Sequence, residues 1–404
     1  FKTCREMVID TVAVFSDADE HALFVKYADE AVRIGGKQPN ESYLVIDKII
    51  DATKQTGANA IHPGYGFLSE KVEFAQRVID ADIIWVGPHP KAIEVMGSKI
   101  GAKKIMQSHN VPTIPGYQGD DQSESTIKAK AIEIGFPVLL KASAGGGGKG
   151  MRIVRQESEL DKAINEAKSE ALNGFGDDTL LIEKYFDTSR HVEFQIFGDS
   201  SGQVVHLFDR ECSVQRRHQK IIEEAPAPNL PDGVRRELHA SAVRLADHVG
   251  YSNAGTMEYL YDPARDECYF LEMNTRLQVE HTVTEMVTGL DLVREQILIA
   301  SGSKTDYANV RLNGHAIQAR ICAEKSDGTY QPSTGVIETY VEPQGVRIDT
   351  GVEQGDTISP KFDSMMGKVI VTAQNRLDAV ARVRRVLDEL VIEGVPTPIP
   401  LFKE

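Results

Sequence analysis

Three oxygen-bearing side chains lie on two short apolar runs of this sequence. Glu258 belongs to Gly255-Thr-Met-Glu-Tyr-Leu260, and Glu272 and Asn274 belong to Tyr269-Phe-Leu-Glu-Met-Asn274. Side chains alternate between the two faces of a strand, so Glu272 and Asn274 face one side and Glu258 can join them across a hairpin. Two carboxylates and an amide oxygen suit a hard cation such as Mg²⁺ that is shared with nucleotide phosphates. A solvent-facing acidic patch is the alternative.

The same alternation continues beyond the second run. Arg276, Gln278 and Glu280 add a cation, an amide and a carboxylate on one face. Such a row can hold a small oxyanion beside its own general base. Each of these side chains alone could be an ordinary polar residue exposed to solvent, but the uninterrupted row is typical of a functional site.

A second group of side chains is cationic, although the protein has a formal net charge of −15. The segment Arg210-Glu-Cys-Ser-Val-Gln-Arg-Arg-His-Gln-Lys220 holds five cationic or titratable groups, namely Arg210, Arg216, Arg217, His218 and Lys220. A solvated charge run is the usual interpretation of such a stretch. Because apolar Val214 and Ile221 border this one, we predict a strand and turn that face phosphate.

A glycine-rich stretch, Lys141-Ala-Ser-Ala-Gly-Gly-Gly-Gly-Lys-Gly-Met151, lies between two apolar runs. Glycines let backbone amides close on an anion, and Lys141 and Lys149 add point charges for phosphate. The stretch contains GxGxxG, but a strand rather than a helix is predicted to follow it, and Gly150 stands where a Walker A needs Ser or Thr. We therefore predict a hairpin flap over phosphate, with a flexible linker as the alternative.

The elements that must position these residues fall into four segments. Residues 1–86 alternate apolar strands with helical patterns, which predicts a Rossmann-like parallel sheet. Residues 87–116 form a linker helix region, residues 117–184 a small α+β lobe with the flap, and residues 185–404 a larger α+β domain. The chain opens within a helical pattern, so we expect a strand and a helix start to precede Phe1.

The composition narrows the class of partner. With 404 residues, 41% of them hydrophobic and 26% charged, the chain is typical of a globular protein of two or three domains. The negative net charge disfavours nucleic acid and anionic membranes as partners. No apolar run approaches the ~18 residues that span a bilayer, and no signal peptide is visible. The four cysteines are scattered, which indicates reduced thiols in the cytoplasm, or in the mitochondrial matrix of a eukaryote.

Five motifs, in order, resemble those of biotin carboxylase, an ATP-grasp enzyme, over nearly the whole chain. They are His62-Pro-Gly-Tyr-Gly-Phe-Leu-Ser-Glu70, Lys141–Met151, Glu211–Lys220, Glu272-Met-Asn-Thr-Arg-Leu-Gln-Val-Glu-His281 and Asn313-Gly-His-Ala-Ile-Gln-Ala-Arg320. The resemblance implies a fold of the α/β and α+β classes. It consists of an ATP-grasp fold with a Rossmann-like N-terminal domain, a small mobile ATP lid lobe and a larger C-terminal α+β domain.

The resemblance also implies roles for individual residues. For ATP binding it implies Lys99, Lys141, Gly147, Gly148, Glu183, Lys184, Phe186, His191, Gln215 and His218. For a Mg²⁺ or Mn²⁺ ion it implies Glu258, Glu272 and Asn274. For the bicarbonate and biotin pocket it implies Lys220, Arg276, Gln278, Val279, Glu280, Arg320, Tyr65 and Asp363. Of these, the catalytic residues are Glu280, Arg276, Arg320 and Lys220.

The implied reaction is the first half-reaction of an acyl-CoA carboxylase, the ATP- and bicarbonate-dependent carboxylation of biotin. Glu280 deprotonates bicarbonate, which attacks the γ-phosphorus of ATP to give carboxyphosphate, and Arg320 stabilises the biotin enolate that captures CO₂. The sequence holds no Met-Lys-Met biotinylation site. We therefore expect biotin on a separate carrier domain. A carboxyltransferase is the further partner that we expect, and a homodimer is the expected assembly.

The chain departs from the family pattern in three places. The N-terminal Gly-Glu-Ile-Ala strand is absent, residues 323–328 replace the usual acidic stretch after the catalytic arginine, and the chain stops short of the last helices. Within the family, the motif Glu280-His-Thr-Val-Thr-Glu285 resembles the α subunits of acyl-CoA carboxylases most. A pyruvate or urea carboxylase is the alternative enzyme, and a catalytically silent nucleotide-binding protein is the alternative class.

Overall fold

Helices and strands alternate in the first part of the chain, in line with the sequence pattern. The computed structural model describes residues 1–97, 99–142, 151–175, 177–216, 219–304 and 306–403, with the backbone alone at residues 99, 100, 174 and 175. The first elements are α1 (Lys2–Glu6), β1 (Val12–Ser16), α2 (Leu23–Tyr27), β2 (Glu30–Gly35), α3 (Ile46–Thr56), β3 (Ala60–Ile61), α4 (Val72–Asp80) and β4 (Ile84–Trp85). The strands pair in parallel, β1 with β2 and β3 with β4.

The α4 helix carries a buried apolar face that holds this region together. Phe74, Ala75 and Val78 recur at helical spacing, and the Phe74 ring meets the Trp85 ring edge-on at 5.5 Å. The segment between β3 and α4 contains the His62–Glu70 motif. Gly64 and Gly66 adopt φ values of 63° and 87° there, which glycine tolerates because it lacks a Cβ. This turn brings the motif to the carboxyl end of β3, beside the large sheet.

The next segment is helical and packs on the largest core of the protein. It consists of α5 (Pro90–Gly97) and α6 (Lys99–Ser108). The buried side chains of Met96, Ala102 and Met106 lie in the same apolar cluster as Phe194 and Met257 of the large sheet. The α6 helix is therefore fixed against the sheet that carries the predicted site.

A small lobe follows, made of antiparallel strands covered by two helices. Its elements are β5 (Gly116–Tyr117), α7 (Glu124–Ile134), β6 (Val138–Ala142), β7 (Met151–Val154), α8 (Leu160–Phe175) and β8 (Leu180–Lys184). The strand order is β5-β8-β6-β7. Its separate apolar core includes Ile127, Leu140, Ile164 and Ile182, each fully buried. The hairpin β6–β7 flanks the predicted flap, and residues 143–150 of the flap lie outside the described residues.

The rest of the chain is organised by a large antiparallel sheet. Its first elements are β9 (Arg190–Gly198), β10 (Val204–Arg216), β11 (Gln219–Ala225), α9 (Asp232–His248), β12 (Asn253–Asp262), β13 (Glu267–Asn274), α10 (His281–Thr288) and α11 (Leu292–Ala300). The remaining elements are β14 (His315–Cys322), β15 (Gly335–Val336), β16 (Thr339–Val341), β17 (Arg347–Thr350), β18 (Thr357–Ile358), β19 (Met365–Ala373), α12 (Arg376–Glu389), β20 (Val391–Glu393) and α13 (Ile399–Phe402).

Within the described residues this sheet has eight strands, in the order β13-β12-β9-β10-β11-β14-β19-β17. Two small pairs, β15 with β18 and β16 with β20, lie beside it. The combination of a parallel N-terminal region, a small lobe and a large antiparallel sheet agrees with the predicted ATP-grasp architecture. The predicted domain limits at residues 86 and 184 fall between elements, whereas the limit at residue 116 divides the two residues of β5. The division into domains stays a prediction. None of the described helices is both long enough and apolar enough to cross a bilayer.

Candidate functional site

Most of the predicted site residues line one cavity of about 1550 Å³. Its walls come from the His62–Phe67 loop, the small lobe, the large sheet and the loop before β19. The predicted residues that line it are Tyr65, Lys141, Glu183, His191, Gln215, Lys220, Glu258, Glu272, Asn274, Arg276, Gln278, Val279, Glu280, Arg320 and Asp363. Side chains that are far apart in the sequence thus face one space.

The other predicted residues are placed differently. The Lys184 ammonium donates to the carbonyl oxygens of Gly135 and Phe136, each at 2.8 Å, away from the cavity lining. The ring of Phe186 packs on Tyr269, with 5.1 Å between centroids. Lys99 begins α6 and is described by its backbone only. The predicted residues that lie outside the described ranges are Gly147, Gly148 and His218.

Lys220 is the centre of the site. Its Nζ donates to Oε2 of Glu193 at 2.6 Å, to Oε1 of Glu258 at 2.8 Å and to Oε1 of Glu280 at 2.7 Å. The sheet brings these groups together, because Glu193 on β9 lies directly opposite Glu258 on β12 and Lys220 is on β11. Glu280 precedes the first residue of α10. One ammonium thus satisfies three carboxylates with its three protons.

Burial and charge oppose each other in this cluster. Burial alone would raise the pKa of the Glu280 carboxyl, but the positive charges of Lys220 and Arg320 outweigh it and lower the pKa to about 2. Burial likewise disfavours the Lys220 ammonium, whereas Glu193, Glu258 and Glu280 raise its pKa well above the ordinary value. Burial would likewise raise the pKa values of the Glu193 and Glu258 carboxyls, but the charge of Lys220 outweighs it and lowers both below the ordinary value. The three carboxylates and the ammonium are therefore all charged at neutral pH.

Glu193 was missed by the sequence reasoning, and it is fully buried. It lies two residues after His191 on the alternating strand His191-Val-Glu-Phe-Gln195, so the period of two held a signal for it. Its second oxygen, Oε1, accepts a hydrogen bond from Nε of Arg210 at 2.5 Å. Glu193 therefore links Lys220 to the interior of the sheet.

Arg210 does not face phosphate, and that part of the expectation for the cationic segment is wrong. Its side chain is fully buried. Its guanidinium donates to Glu193, Gln195, Thr256, Gln278 and Thr284 at distances between 2.5 and 3.1 Å. Because a buried guanidinium needs a partner for each of its protons, Arg210 fixes the strands below the cavity.

The predicted metal ligands are neighbours in the structure. Glu258 lies directly opposite Glu272 across β12 and β13, and Thr256 lies opposite Asn274. Nδ2 of Asn274 donates to Oε1 of Glu258 at 2.8 Å, and Oδ1 of Asn274 accepts from Nη2 of Arg276 at 2.9 Å. Two carboxylates and an amide oxygen on adjacent strands form a donor set that fits a hard divalent cation such as Mg²⁺.

His191 carries charge at this end of the site as well. Its Nε2 lies 2.9 Å from Oε2 of Glu258, and Nε2 of Gln215 lies 3.2 Å from its Nδ1. Burial lowers the pKa of the His191 imidazole, but the negative charge of Glu258 more than compensates and raises it to about 9. His191 is therefore an imidazolium at neutral pH, which suits a neighbour of nucleotide phosphate.

The oxyanion end of the cavity is formed by two arginines, each held by a carboxylate. Nε of Arg320 donates to Oε1 of Glu223 at 2.5 Å, and its Nη2 donates to Oε2 of Glu280 at 2.9 Å. Nε of Arg276 donates to Oε2 of Glu70, the last residue of the His62–Glu70 motif, at 3.0 Å. Both arginines line the cavity, and Arg320 contacts Glu280 directly.

The two remaining members of the predicted oxyanion pocket are fixed from below. Nε2 of Gln278 donates to Oε1 of Glu258 at 2.7 Å. The carbonyl oxygen of Val279 accepts from Nζ of Lys368 at 2.5 Å. Burial lowers the pKa of the Lys368 ammonium to about 8. The turn from residue 278 to residue 280 is thus positioned by side chains on other strands.

At the opposite end of the cavity, the Glu183 carboxylate is shared by two lysines. Nζ of Lys103 donates to its Oε1 at 2.6 Å, and Nζ of Lys141 donates to its Oε2. Burial raises the pKa of the Glu183 carboxyl, but the charges of Lys141 and Lys103 outweigh this effect and lower it to about 2. Lys103 was not among the predicted residues, although it lies four residues after Lys99 in the sequence.

These depressed pKa values predict how stability depends on acid. Glu183 and Glu280 have pKa values of about 2 against an ordinary value of 4.5, so each stabilises the fold above pH 4.5 and loses this contribution as the pH falls toward 2. We expect the free energy of unfolding in urea to fall in that range. In a Glu183→Gln variant the fall should be smaller by roughly 2 kcal/mol between about pH 5 and pH 3. An identical fall in both proteins would contradict the assignment.

Family models match nearly the full chain. The biotin carboxylase N-terminal domain matches residues 1–93, the ATP-binding domain of the carbamoyl-phosphate synthase L chain matches residues 98–307, and the biotin carboxylase C-terminal domain matches residues 318–404. The three matches occur in chain order. They correspond to the parallel N-terminal region, the segment with the small lobe and most of the site, and the C-terminal strands.

Named carboxylase polypeptides of other organisms are similar in sequence to the whole of this chain. A pyruvate carboxylase polypeptide of Methanothermobacter thermautotrophicus is 48% identical over 406 residues, covering 100% of this chain and 82% of the relative. The mitochondrial alpha chain of methylcrotonoyl-CoA carboxylase from Arabidopsis thaliana is 49% identical over 409 residues. That match covers 100% of this chain but only 56% of the plant protein.

A solved structure agrees as well. The biotin carboxylase domain dimer of Hydrogenobacter thermophilus 2-oxoglutarate carboxylase, solved with MgADP, ADP and bicarbonate, superposes with a TM-score of 0.93 at 44% identity. That match covers 100% of this chain and 89% of the solved chain. Likeness of this extent, in sequence and in fold, shows common descent over the whole chain. The chain belongs to the biotin carboxylase family.

Proposed function

We propose that the cluster around Lys220 activates bicarbonate for the ATP-dependent carboxylation of biotin, the reaction of this family. The observation that carries the proposal is the position of Glu280. Its two oxygens contact Lys220 at 2.7 Å and Arg320 at 2.9 Å, on the wall of a cavity that also contains Lys141 and His191. A carboxylate between two cations offers a small oxyanion both positive charge and a proton acceptor.

Glu280 acts as the general base in this proposal. A carboxylate with a pKa of about 2 is a weak base, so substrate binding has to raise it. Bicarbonate and the ATP phosphates bring negative charge next to Lys220 and Arg320. This charge offsets the two cations and raises the pKa of Glu280 at the moment when bicarbonate must lose its proton. The deprotonated bicarbonate then attacks the γ-phosphorus of ATP, the bond from that phosphorus to the bridging oxygen breaks, and ADP leaves as carboxyphosphate forms.

The nucleotide and the metal ion are assigned to the part of the cavity that lies on the side of Glu258 away from Glu280. Lys141 and His191 supply positive charge for phosphate oxygens, and Glu258, Glu272 and Asn274 would hold Mg²⁺ or Mn²⁺. The ion, when bound, supplies neutralisation of the charge that develops on the transferred phosphoryl group. Lys220 contacts Glu258 and Glu280 alike, so it couples this half of the site to the bicarbonate half.

Biotin is assigned to the end of the cavity near Arg320, Tyr65 and Asp363. The guanidinium of Arg320 can stabilise the enolate oxygen of biotin through charge-assisted hydrogen bonds. Burial raises the pKa of the Tyr65 phenol, so its hydroxyl stays protonated and can donate a hydrogen bond. Carboxyphosphate would break down to CO₂ and phosphate, and this phosphate would take the N1 proton of biotin. The N1 nitrogen, now nucleophilic, would add CO₂ between these groups.

The wider assembly is part of the same proposal. We assign the chain to an acyl-CoA carboxylase, supported by 49% identity to the alpha chain of a methylcrotonoyl-CoA carboxylase, with biotin on a carrier domain and a carboxyltransferase as partners. A pyruvate carboxylase is the second candidate, since a pyruvate carboxylase polypeptide is 48% identical. A homodimer in the cytoplasm, or in the mitochondrial matrix of a eukaryote, completes the proposal. Supplying the charged carrier with either an acyl-CoA carboxyltransferase or a pyruvate carboxyltransferase distinguishes the two candidates.

An Arg320→Ala variant tests the biotin assignment. Biotin carboxylation should fall by roughly 10²–10³-fold, because the enolate loses its charged hydrogen-bond donor. The Kd for MgADP should change by less than about threefold, since Arg320 contacts Glu223 and Glu280 and none of the proposed nucleotide ligands. Isothermal titration calorimetry and a carboxybiotin assay measure the two quantities.

Arg311→Ala is the matched control, because Arg311 is exposed and donates only to the backbone carbonyls of Ala308 and Val310 among its described contacts. This variant should resemble the unmodified protein in both measurements. A loss of MgADP affinity as large as the loss of carboxylation in Arg320→Ala would show that Arg320 is assigned to the wrong step.

A further inference from the structure

Lys103 occupies a place in the cavity that the proposed reaction does not explain. It lies on α6, and its ammonium contacts Oε1 of Glu183 at 2.6 Å, while Lys141 on β6 contacts the other oxygen of the same carboxylate. Both lysines and Glu183 line the cavity. One carboxylate therefore has two cations, each from a different element of the fold.

The strand register accounts for half of this arrangement. Glu183 on β8 lies opposite Leu139 on β6, and Leu181 lies opposite Lys141. Lys141 and Glu183 are therefore diagonal neighbours on one face of the small sheet, within reach of long side chains. Lys103 completes the group from α6, which is anchored on the core of the large sheet. The group thus joins the small lobe to the rest of the protein.

The three side chains differ in exposure. The side chains of Glu183 and Lys103 are 11% and 13% exposed, whereas that of Lys141 is 31% exposed. Lys141 is the cation with the freer path into the cavity, and it is also the proposed phosphate ligand. To bind phosphate, its ammonium must exchange the Glu183 carboxylate for a phosphate oxygen.

This exchange is unfavourable if it leaves a buried carboxylate without a cation. Lys103 removes that obstacle, because it stays on Glu183 when Lys141 leaves. We infer that Lys103 is a positioning residue for nucleotide binding, which holds the Glu183 carboxylate so that Lys141 is available to the polyphosphate. The inference rests on the proposed function, since it takes ATP as the ligand of this end of the cavity.

A Lys103→Met variant tests the inference by its affinity for MgADP. Without Lys103, Lys141 is the remaining cation on Glu183, and its transfer to phosphate leaves the carboxylate unpaired. The Kd for MgADP, measured by isothermal titration calorimetry, should rise at least roughly tenfold. Lys103→Arg should keep the Kd within about threefold, because it preserves the charge. Lys104→Met is the matched control: it removes the same charge from the next, exposed residue of the same helix and should leave the Kd unchanged.

A Glu183→Gln substitution separates this role from simple damage to the fold. The affinity of Glu183→Gln for MgADP serves as the reference in this test, because its amide no longer competes for Lys141 by charge. Adding Glu183→Gln to Lys103→Met should restore the affinity to near that of Glu183→Gln alone. An unchanged Kd in Lys103→Met, or a loss that persists in the double variant, would overturn the inference. Failure of the unmodified protein to bind MgADP would instead overturn the proposed function.

Discussion

Replacing Glu280 by Gln should lower bicarbonate-dependent ATP hydrolysis by roughly 10²–10⁴-fold in kcat, the usual contribution of a general base. The amide has the shape of the carboxyl group but cannot accept the proton of bicarbonate. The Kd for MgADP should stay within about threefold, because Glu280 contacts Lys220 and Arg320 and not the lysines at the nucleotide end. Steady-state release of phosphate at saturating ATP and bicarbonate measures the effect.

Glu73→Gln is the matched control for this substitution. Glu73 is an exposed residue in the first turn of α4, outside the cavity lining, so its loss should leave the rate unchanged. If the Glu280→Gln variant hydrolyses ATP at the unmodified rate and still requires bicarbonate, another group must take the proton. The assignment of Glu280 as the base would then be wrong.

Replacing Lys220 by Met should produce the second large effect, in stability as well as in activity. Removal of the ammonium leaves Glu193, Glu258 and Glu280 close together in a buried place without their shared cation. Breaking a buried ion pair in this way typically costs about 3–5 kcal/mol of unfolding free energy. Carboxylation should be lost at the same time, because bicarbonate loses a neighbouring positive charge. Urea unfolding followed by circular dichroism measures the first effect.

Lys162→Met provides the comparison, since the side chain of Lys162 is 83% exposed and a surface charge contributes little. Mg²⁺ adds an independent check. If the ion binds the carboxylates around Glu258, it should restore part of the stability of Lys220→Met and have a smaller effect on Lys162→Met. Equal stability of the two variants without Mg²⁺ would contradict the central place of Lys220 in the network.

The position of Glu258 opposite Glu272 agrees with the expected neighbourhood, but it depends on a register shift between Glu258 and Tyr259 that counting along the hairpin does not contain. The register nearer the turn, continued without that shift, would place Glu258 opposite Leu271. That Glu272 and Asn274 share one face follows from the period of two alone, which is a local property of the strand. The alternating strands and helices of the first segment are local as well. Their parallel pairing follows from the connecting helices.

Other parts of the site depend on the register between strands that are far apart in the sequence. The pattern of residues along one strand does not show this register. Arg210 was expected to face phosphate, yet it is buried among Glu193, Gln195 and Thr256. The register of β10 shifts between His206 and Asp209 and again after Glu211, so counting alternate residues does not give the direction of its side chains. Glu193 and Lys103 were missed because their partners lie on other elements.

The most direct test of the central claim is the formation of carboxybiotin by the unmodified protein. The protein is incubated with MgATP, labelled bicarbonate and free biotin, and each reactant is omitted in turn. Label should appear in biotin in proportion to the ADP released, and omission of bicarbonate should abolish ADP release. Hydrolysis of ATP that is independent of both bicarbonate and biotin, with no label in biotin, would contradict the claim that Lys220, Glu280 and Arg320 form a biotin carboxylase site.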